Sequence, residues 1–472
     1  MKLLKGTIMW AILVGIISGC GSLNRTEEET KLNDIQFAIN VGLKPEEGFE
    51  DWIQEYNKQT EISLDFKYTN TNEYYSDLEV GFASEDIPDV FVVSSDKLAM
   101  YALDGNLHDL TELVQNSTCI NNIDPKLIDA IKVDEKIYGV PLERGGGVVT
   151  YIRQDWLEKL GLNQPTNYTE FIQVLRAFKT LGEDVIPFTA PGFIVEHGEY
   201  YLGQFYQDAN PNLIQDSNEK WIDGMLQPNM VPALERLKSA YAEGLIDSQI
   251  ITNKTSTCRN KWYAGNVGVF NYWAGNWAVT LEDRLKRNVN EAKVEVIKPI
   301  NESHYIERLP NVMSISSTCE NPEMIFKNII EYAADCKKGS MLFQHGVENT
   351  HYTIEDNGIV KANYKANKPD EVFEKAFISP VLTTTPIQLE GYRFDVDERV
   401  KHSLEILYNN CIQDTPIPSS EALLKINTHL IEFKEEIIVD IVLGEVSVQE
   451  GLEQYKIQSE ELGVSKILKE LN

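Results

Sequence analysis

The residues best suited to holding another molecule lie together in Val267-Gly268-Val269-Phe270-Asn271-Tyr272-Trp273-Ala274-Gly275-Asn276-Trp277. A flat, hydroxylated ring presents C–H faces and an edge of hydroxyls, so gripping it takes aromatic platforms beside amides, carboxylates or guanidinium groups. Tyr272, Trp273 and Trp277 supply platforms and Asn271 an amide. The four-residue spacing of the tryptophans equally suits one buried face of a helix. Glu143 and Arg144 are further candidates, because Gly145-Gly146-Gly147 after them either lets backbone approach a ligand or makes a tight turn. Ser94, Ser95 and Asp96 follow an apolar run, with helix capping as their competing role. Asn40 and Lys44 close another strand-like stretch. His345, Glu348, His351 and Tyr352 form a loop suited either to a rim or to packing on itself.

Covalent chemistry finds less support. No GxSxG elbow, HExxH or P-loop pattern occurs, so no catalytic residue is assigned and the chain is not read as an enzyme. Carboxylates are plentiful, which leaves a glycosidase pair as the enzymatic alternative. Of the six cysteines, Cys119, Cys258, Cys319, Cys336 and Cys411 have no CxxC spacing, so neither a metal nor a redox cofactor is expected. They read as small hydrophobes, with at least one free thiol because their number is odd.

Cys20 is different. Lys2 and Lys5 precede the short apolar stretch Ile8 to Ile17, which ends in Ser18-Gly19-Cys20. This resembles a bacterial lipobox and implies a leader over residues 1–19, removed so that a lipidated Cys20 becomes the first residue. A signal-anchor helix is the alternative. Residues 20–33 are polar and Pro-free, as a flexible tether would be. The anchor would hold the protein at the outer face of the cell membrane of a Gram-positive-type bacterium. The net charge is −30, and losing Lys2 and Lys5 leaves 41 basic against 73 acidic residues, or −32. Such a surface repels nucleic acid and gives no help to polyanions, although a local basic patch can override it; neutral ligands are the first candidates.

These residues must be placed by a scaffold with more than one core, since roughly 450 residues exceed what one core organises. Ile35 to Val41 alternate as a strand, Phe49 to Tyr56 repeat as a helix, and Ile62 to Tyr68 alternate again. Tyr74 to Phe82 suit a helix, and Val90 to Val93 a strand buried on both faces. This β-α-β-α-β order begins an open α/β sheet, whose ligands sit at the carboxyl ends of its strands. Val148 to Ile152 predict a strand and Gln154 to Leu160 a helix stopped by Gly161. Asn167 with Glu170 predicts a capping box. A helix over Ile437 to Leu443 stops at Gly444, and Ser447 with Glu450 opens a last helix that Gly463 ends.

The assembled pattern resembles the extracellular solute-binding proteins of ABC sugar transporters, the maltose-binding-protein-like group with its large Gram-positive lipoproteins. Pro88-Asp89-Val90-Phe91, Tyr101 to Leu107, Lys136 to Pro141 and above all Tyr151 to Leu162 carry the likeness, with Gly346-Val347-Glu348 and His351-Tyr352 marking the large subgroup. The resemblance implies a periplasmic-binding-protein-like α/β fold: two α/β lobes joined by a multi-strand hinge, with the ligand cleft between them. The first lobe would take residues 34–145 and 310–385 and the second 146–309 and 386–472. Crossings would fall near 143–148, 307–311 and 383–389. It further implies sugar-stacking tryptophans at Trp273 and Trp277, an oligosaccharide ligand, membrane permease subunits as partners, a monomer, and no enzymatic activity. A tethered sensor for a signalling partner is the alternative. Many large relatives hold calcium after the Ala-Phe-Lys helix, but Thr180 to Val185 offers only Glu183 and Asp184, so the metal is not carried over.

Overall fold

The computed structural model describes residues 35–41, 49–70, 73–84, 86–141, 144–194, 200–362, 392–414 and 420–472. The leader 1–19, Cys20, the tether, Lys44, Glu143 and the crossing near 383–389 lie outside the described residues, as do the side chains of Asn40 and Asp96. Among the described residues, no helix is long and apolar enough to cross a membrane.

Strands are numbered in chain order. β1 (Ile35–Val41), β2 (Leu64–Asn70) and β3 (Val90–Val93) run parallel, joined by the helices Phe49–Thr60 and Tyr74–Ser84. All four residues of β3 are buried, as its unbroken apolar run predicts. β4 (Val140–Pro141) and β12 (Val312–Ile315) complete a five-stranded sheet in the order β2-β1-β3-β12-β4. β12 therefore enters from far along the chain. One continuous core draws on residues from 35 to 140 and from 312 to 343, with Trp52, Phe37 and Phe343 among its largest members.

A second core draws on residues from 148 to 305 and from 406 to 467, and the two cores define two lobes. Its sheet has the order β10-β5-β9-β6. Here β5 spans Val148–Arg153, β6 Ile186–Thr189, β9 Val267–Trp273 and β10 Val294–Ile297. β6 and β9 are parallel and β5 is antiparallel to β9. β7 (Leu213–Gln215) and β8 (Trp221–Asp223) form a separate small hairpin, from which Leu213 packs against the second core.

Where the lobes join, β11 (Tyr305–Glu307) pairs with β16 (Cys411–Gln413). The first crossover runs from β4 to β5 and the second from β11 to β12, and they touch. Gly147 bridges to Glu307, and the Arg308 amide donates to the Gly146 carbonyl at 3.0 Å. A Cβ on Gly145 would lie 1.6 Å from the Arg308 carbonyl oxygen, and one on Gly147 2.5 Å from that of Ile306. The neighbour that requires glycine at these two positions is thus the other crossover.

Several helix ends differ from the sequence reading. Asn167 caps its helix by accepting from the Glu170 amide, but the Glu170 carboxylate reaches one residue further back to Thr166. The helix before Gly444 starts at Glu421, and the capped helix Val448–Glu461 is followed by another, Val464–Leu471. Of the five body cysteines only Cys258 is buried; the others are half-buried, and all five are free thiols.

Candidate ligand site between the lobes

Strand direction turns both sheets toward the crossovers. β3 ends at Val93, which pairs with Val312, so its carboxyl end lies where the second crossover enters the first lobe. β9 ends at Trp273, which pairs with Val148, where the first crossover enters the second lobe. Both carboxyl edges therefore meet at the junction, the place where open α/β sheets take ligands.

Trp273 is half-buried there. The Arg308 guanidinium sits over its ring, 4.7 Å from the centroid. Gly146, with φ of +68°, faces the same indole, and a Cβ would lie 3.7 Å from Cζ3. The Tyr151 hydroxyl donates to the Trp273 carbonyl at 2.7 Å, fixing the strand end. Trp277 is the second residue of the helix Asn276–Asn288, opened by Gly275 at φ +76°. Its ring meets Tyr272 edge-on at 4.8 Å, and Arg259 lies over it at 5.1 Å. The tryptophans therefore do not share one helix face: one ends a strand and the other begins a helix.

Tyr272 and Asn271 point to opposite faces of β9 and both are buried. The Tyr272 hydroxyl accepts from Arg259, and its ring stacks on Phe270. The Asn271 amide donates to the Tyr201 carbonyl and to Gln204 Oε1, each at 2.7 Å. With Tyr200, Tyr201, Gln204, His304 and Tyr305, Asn271 lines a cavity of about 60 Å3. Burial holds the His304 imidazole below its usual pKa. Burial also raises the Tyr200 phenol, which donates to Asp414 at 2.7 Å.

Arg144 binds Glu307 through one edge of its guanidinium in a two-bonded pair, Nε to Oε1 at 2.7 Å and Nη2 to Oε2, and lies 3.6 Å from the Tyr408 ring centroid. Glu307 is buried. This ion pair ties the first crossover to the second. Ser94 precedes the helix Ser95–Leu103 without capping it through its side chain; it accepts from the Tyr75 hydroxyl at 2.8 Å. Ser95 is half-buried at the start of that helix, Asp96 follows it, and Asn40 pairs with Thr69 within β1.

The loop after the helix Lys338–His345 packs on itself. His351 Nδ1 accepts from the Val347 amide at 2.8 Å, Tyr352 is buried and Glu348 exposed. Tyr352 opens β13 (Tyr352–Ile354), which pairs with β14 (Ile359–Ala362) and through it β15 (Arg393–Phe394). His345 stacks on Phe394 at 4.1 Å, and burial pushes its pKa down to about 4.

Residues 43–323 match the sequence profile of the bacterial extracellular solute-binding proteins. The chain belongs to this family. Lipoprotein LipO of Bacillus subtilis is 20% identical over 376 residues, covering 75% of this chain and 74% of LipO. The melibiose/raffinose/stachyose-binding protein MelE of the same organism is 28% identical over 192 residues, 39% of this chain and 43% of MelE. The HMO-binding solute-binding protein of Bifidobacterium longum infantis superposes with a TM-score of 0.71 at 15% identity, covering 93% of this chain and 97% of that one. That superposition fixes the fold as periplasmic-binding-protein-like.

Within this solute-binding protein, sequence reasoning missed Arg308, Arg259, Gln204 and the pairing of Arg144 with Glu307. Arg308 was within reach, because it sits in the crossing near 307–311. Arg259 gave no signal, because only the packing of the helix Thr255–Tyr263 against Tyr272 brings it there.

Proposed function

We propose that this solute-binding protein is a monomer tethered through Cys20 at the outer face of the cell membrane, where it captures an oligosaccharide between its lobes and passes it to a membrane permease. The observation that carries this reading is the half-buried Trp273 at the carboxyl end of β9, beside Arg308 on the crossover between the lobes. An indole there offers a sugar ring its flat face, and the guanidinium offers hydrogen bonds at the ring edge. Family membership, the sugar named for MelE and the lipoprotein named LipO support it. Release of the ligand unchanged is what such a protein does, so it works without catalysis.

A glycan array followed by calorimetry tests this. Saturable binding of an oligosaccharide that is returned uncut, together with loss of its uptake when the permease gene is deleted, is the expected result. Cleavage of the bound sugar would make the protein an enzyme. Uptake unaffected by loss of the permease would favour a sensor.

A further inference from the structure

Acidic residues outnumber basic ones 73 to 43 in this chain, so a cation has many carboxylates to choose from. Lys261 holds Asp247, Arg153 holds Asp155, Arg399 holds Glu282, Asp283 and Asp397, and Arg144 holds Glu307. Arg308 and Arg259 have no such partner among the described residues, and both border the aromatic segment of β9. Arg259 donates to the Tyr272 hydroxyl and lies over Trp277. Arg308 uses only Nε, which donates to the Gly145 carbonyl at 2.9 Å, while Trp273 lies against its guanidinium. The Nη hydrogens of Arg308 meet no acceptor among the described residues.

This arrangement holds a planar fork by one edge and one face and leaves the other edge free. A guanidinium so held matches a carboxylate in a two-bonded, coplanar pair. The carboxylate next to it in sequence, Glu307, is buried and committed to Arg144, so it does not neutralise the site. Half-burial also withholds water from the cation, which raises the value of an anionic partner.

We propose that the oligosaccharide bound here carries a carboxylate, as a uronic acid residue does, and that Arg308 selects for it; the inference rests on the oligosaccharide reading above. The overall negative charge slows the approach of such a ligand, and the local guanidinium pair holds it once it arrives.

The test is calorimetry on the full chain with oligouronates of several linkages, their methyl esters and neutral oligosaccharides of matched linkage. Esterification removes the charge and keeps the ring. The acid should bind at least about tenfold more tightly than its ester or neutral counterpart, and that preference should shrink between about 50 and 500 mM salt. Arg308→Gln should compress the acid-to-ester ratio to within about twofold, and Arg308→Lys should keep part of it. If the glutamine variant does not fold, the parent's ratio and its salt dependence decide. Esters or neutral sugars binding as tightly as the acids overturn this inference and leave the oligosaccharide reading standing. Binding of no sugar in any series overturns both.

Discussion

The Arg308 guanidinium rests over the Trp273 indole, 4.7 Å from its centroid, and both residues are fastened to the first crossover, Arg308 by donating to the Gly145 carbonyl and Trp273 by pairing with Val148. Arg308 lies on the crossover leading to the first lobe, whereas Trp273 is the last residue of a strand in the second. Lobe closure would change this contact, since hinge residues absorb the rotation. A change in Trp273 emission on ligand binding would report such a movement.

Trp273→Ala should weaken binding of the identified glycan by about 2 kcal/mol or more, roughly thirtyfold, while the protein stays folded. Trp277→Ala should also cost about 1–3 kcal/mol of stability, because its ring packs against Tyr272. Calorimetry and denaturant titration separate the two effects. Parent-like affinity in both variants would remove the tryptophans from the site. Unfolding of the Trp273 variant would make it a core residue.

Arg144→Ala should destabilise the protein by about 3 kcal/mol, because it strands the buried Glu307 carboxylate without its ion partner. Adding Glu307→Leu to Arg144→Leu should recover much of the loss. Equal midpoints for the parent and the single variant in urea would show that the pair contributes nothing.

His345 gives a pH dependence whose sign follows from its burial. Its pKa is about 4 in the folded chain against 6.5 in the unfolded one, so protons favour the unfolded state. The stability present above pH 6.5 should decline as pH falls toward about 4, by up to about 3 kcal/mol. Unfolding free energies of the parent and His345→Gln, measured across that window, should diverge in slope. Parallel curves would exclude His345 as the source.

Cys20→Ala should release the protein into the medium or leave its leader uncleaved, as fractionation and N-terminal sequencing would show. A membrane-bound variant with a processed N-terminus would defeat the lipid-anchor reading.

The first lobe was legible because its strands carry their own burial pattern: Phe37 and Val90 to Val93 announce inward faces without help from distant residues. Ser447 with Glu450 was legible for the same reason, since a capping box closes within four residues. Distant partners were not. Arg144 reads as a candidate ligand contact until Glu307, 163 residues away, is folded beside it. Asn271 reads as a candidate contact until Gln204 and Tyr201 take up its amide. Gly463 reads in the sequence as a terminus, yet its left-handed conformation ends one helix and begins the next.

The position of β12 bears on how the chain comes to be folded at all. Because β12 lies between β3 and β4, the first sheet stays split until residues 312–315 arrive, long after residue 141 has been made. The edge of β3 waits unpaired while most of the second lobe is synthesised, and pairing across so long a loop is slow. An exported chain with this topology depends on being kept from aggregating through that interval, and its first lobe cannot be produced by simple truncation before residue 312.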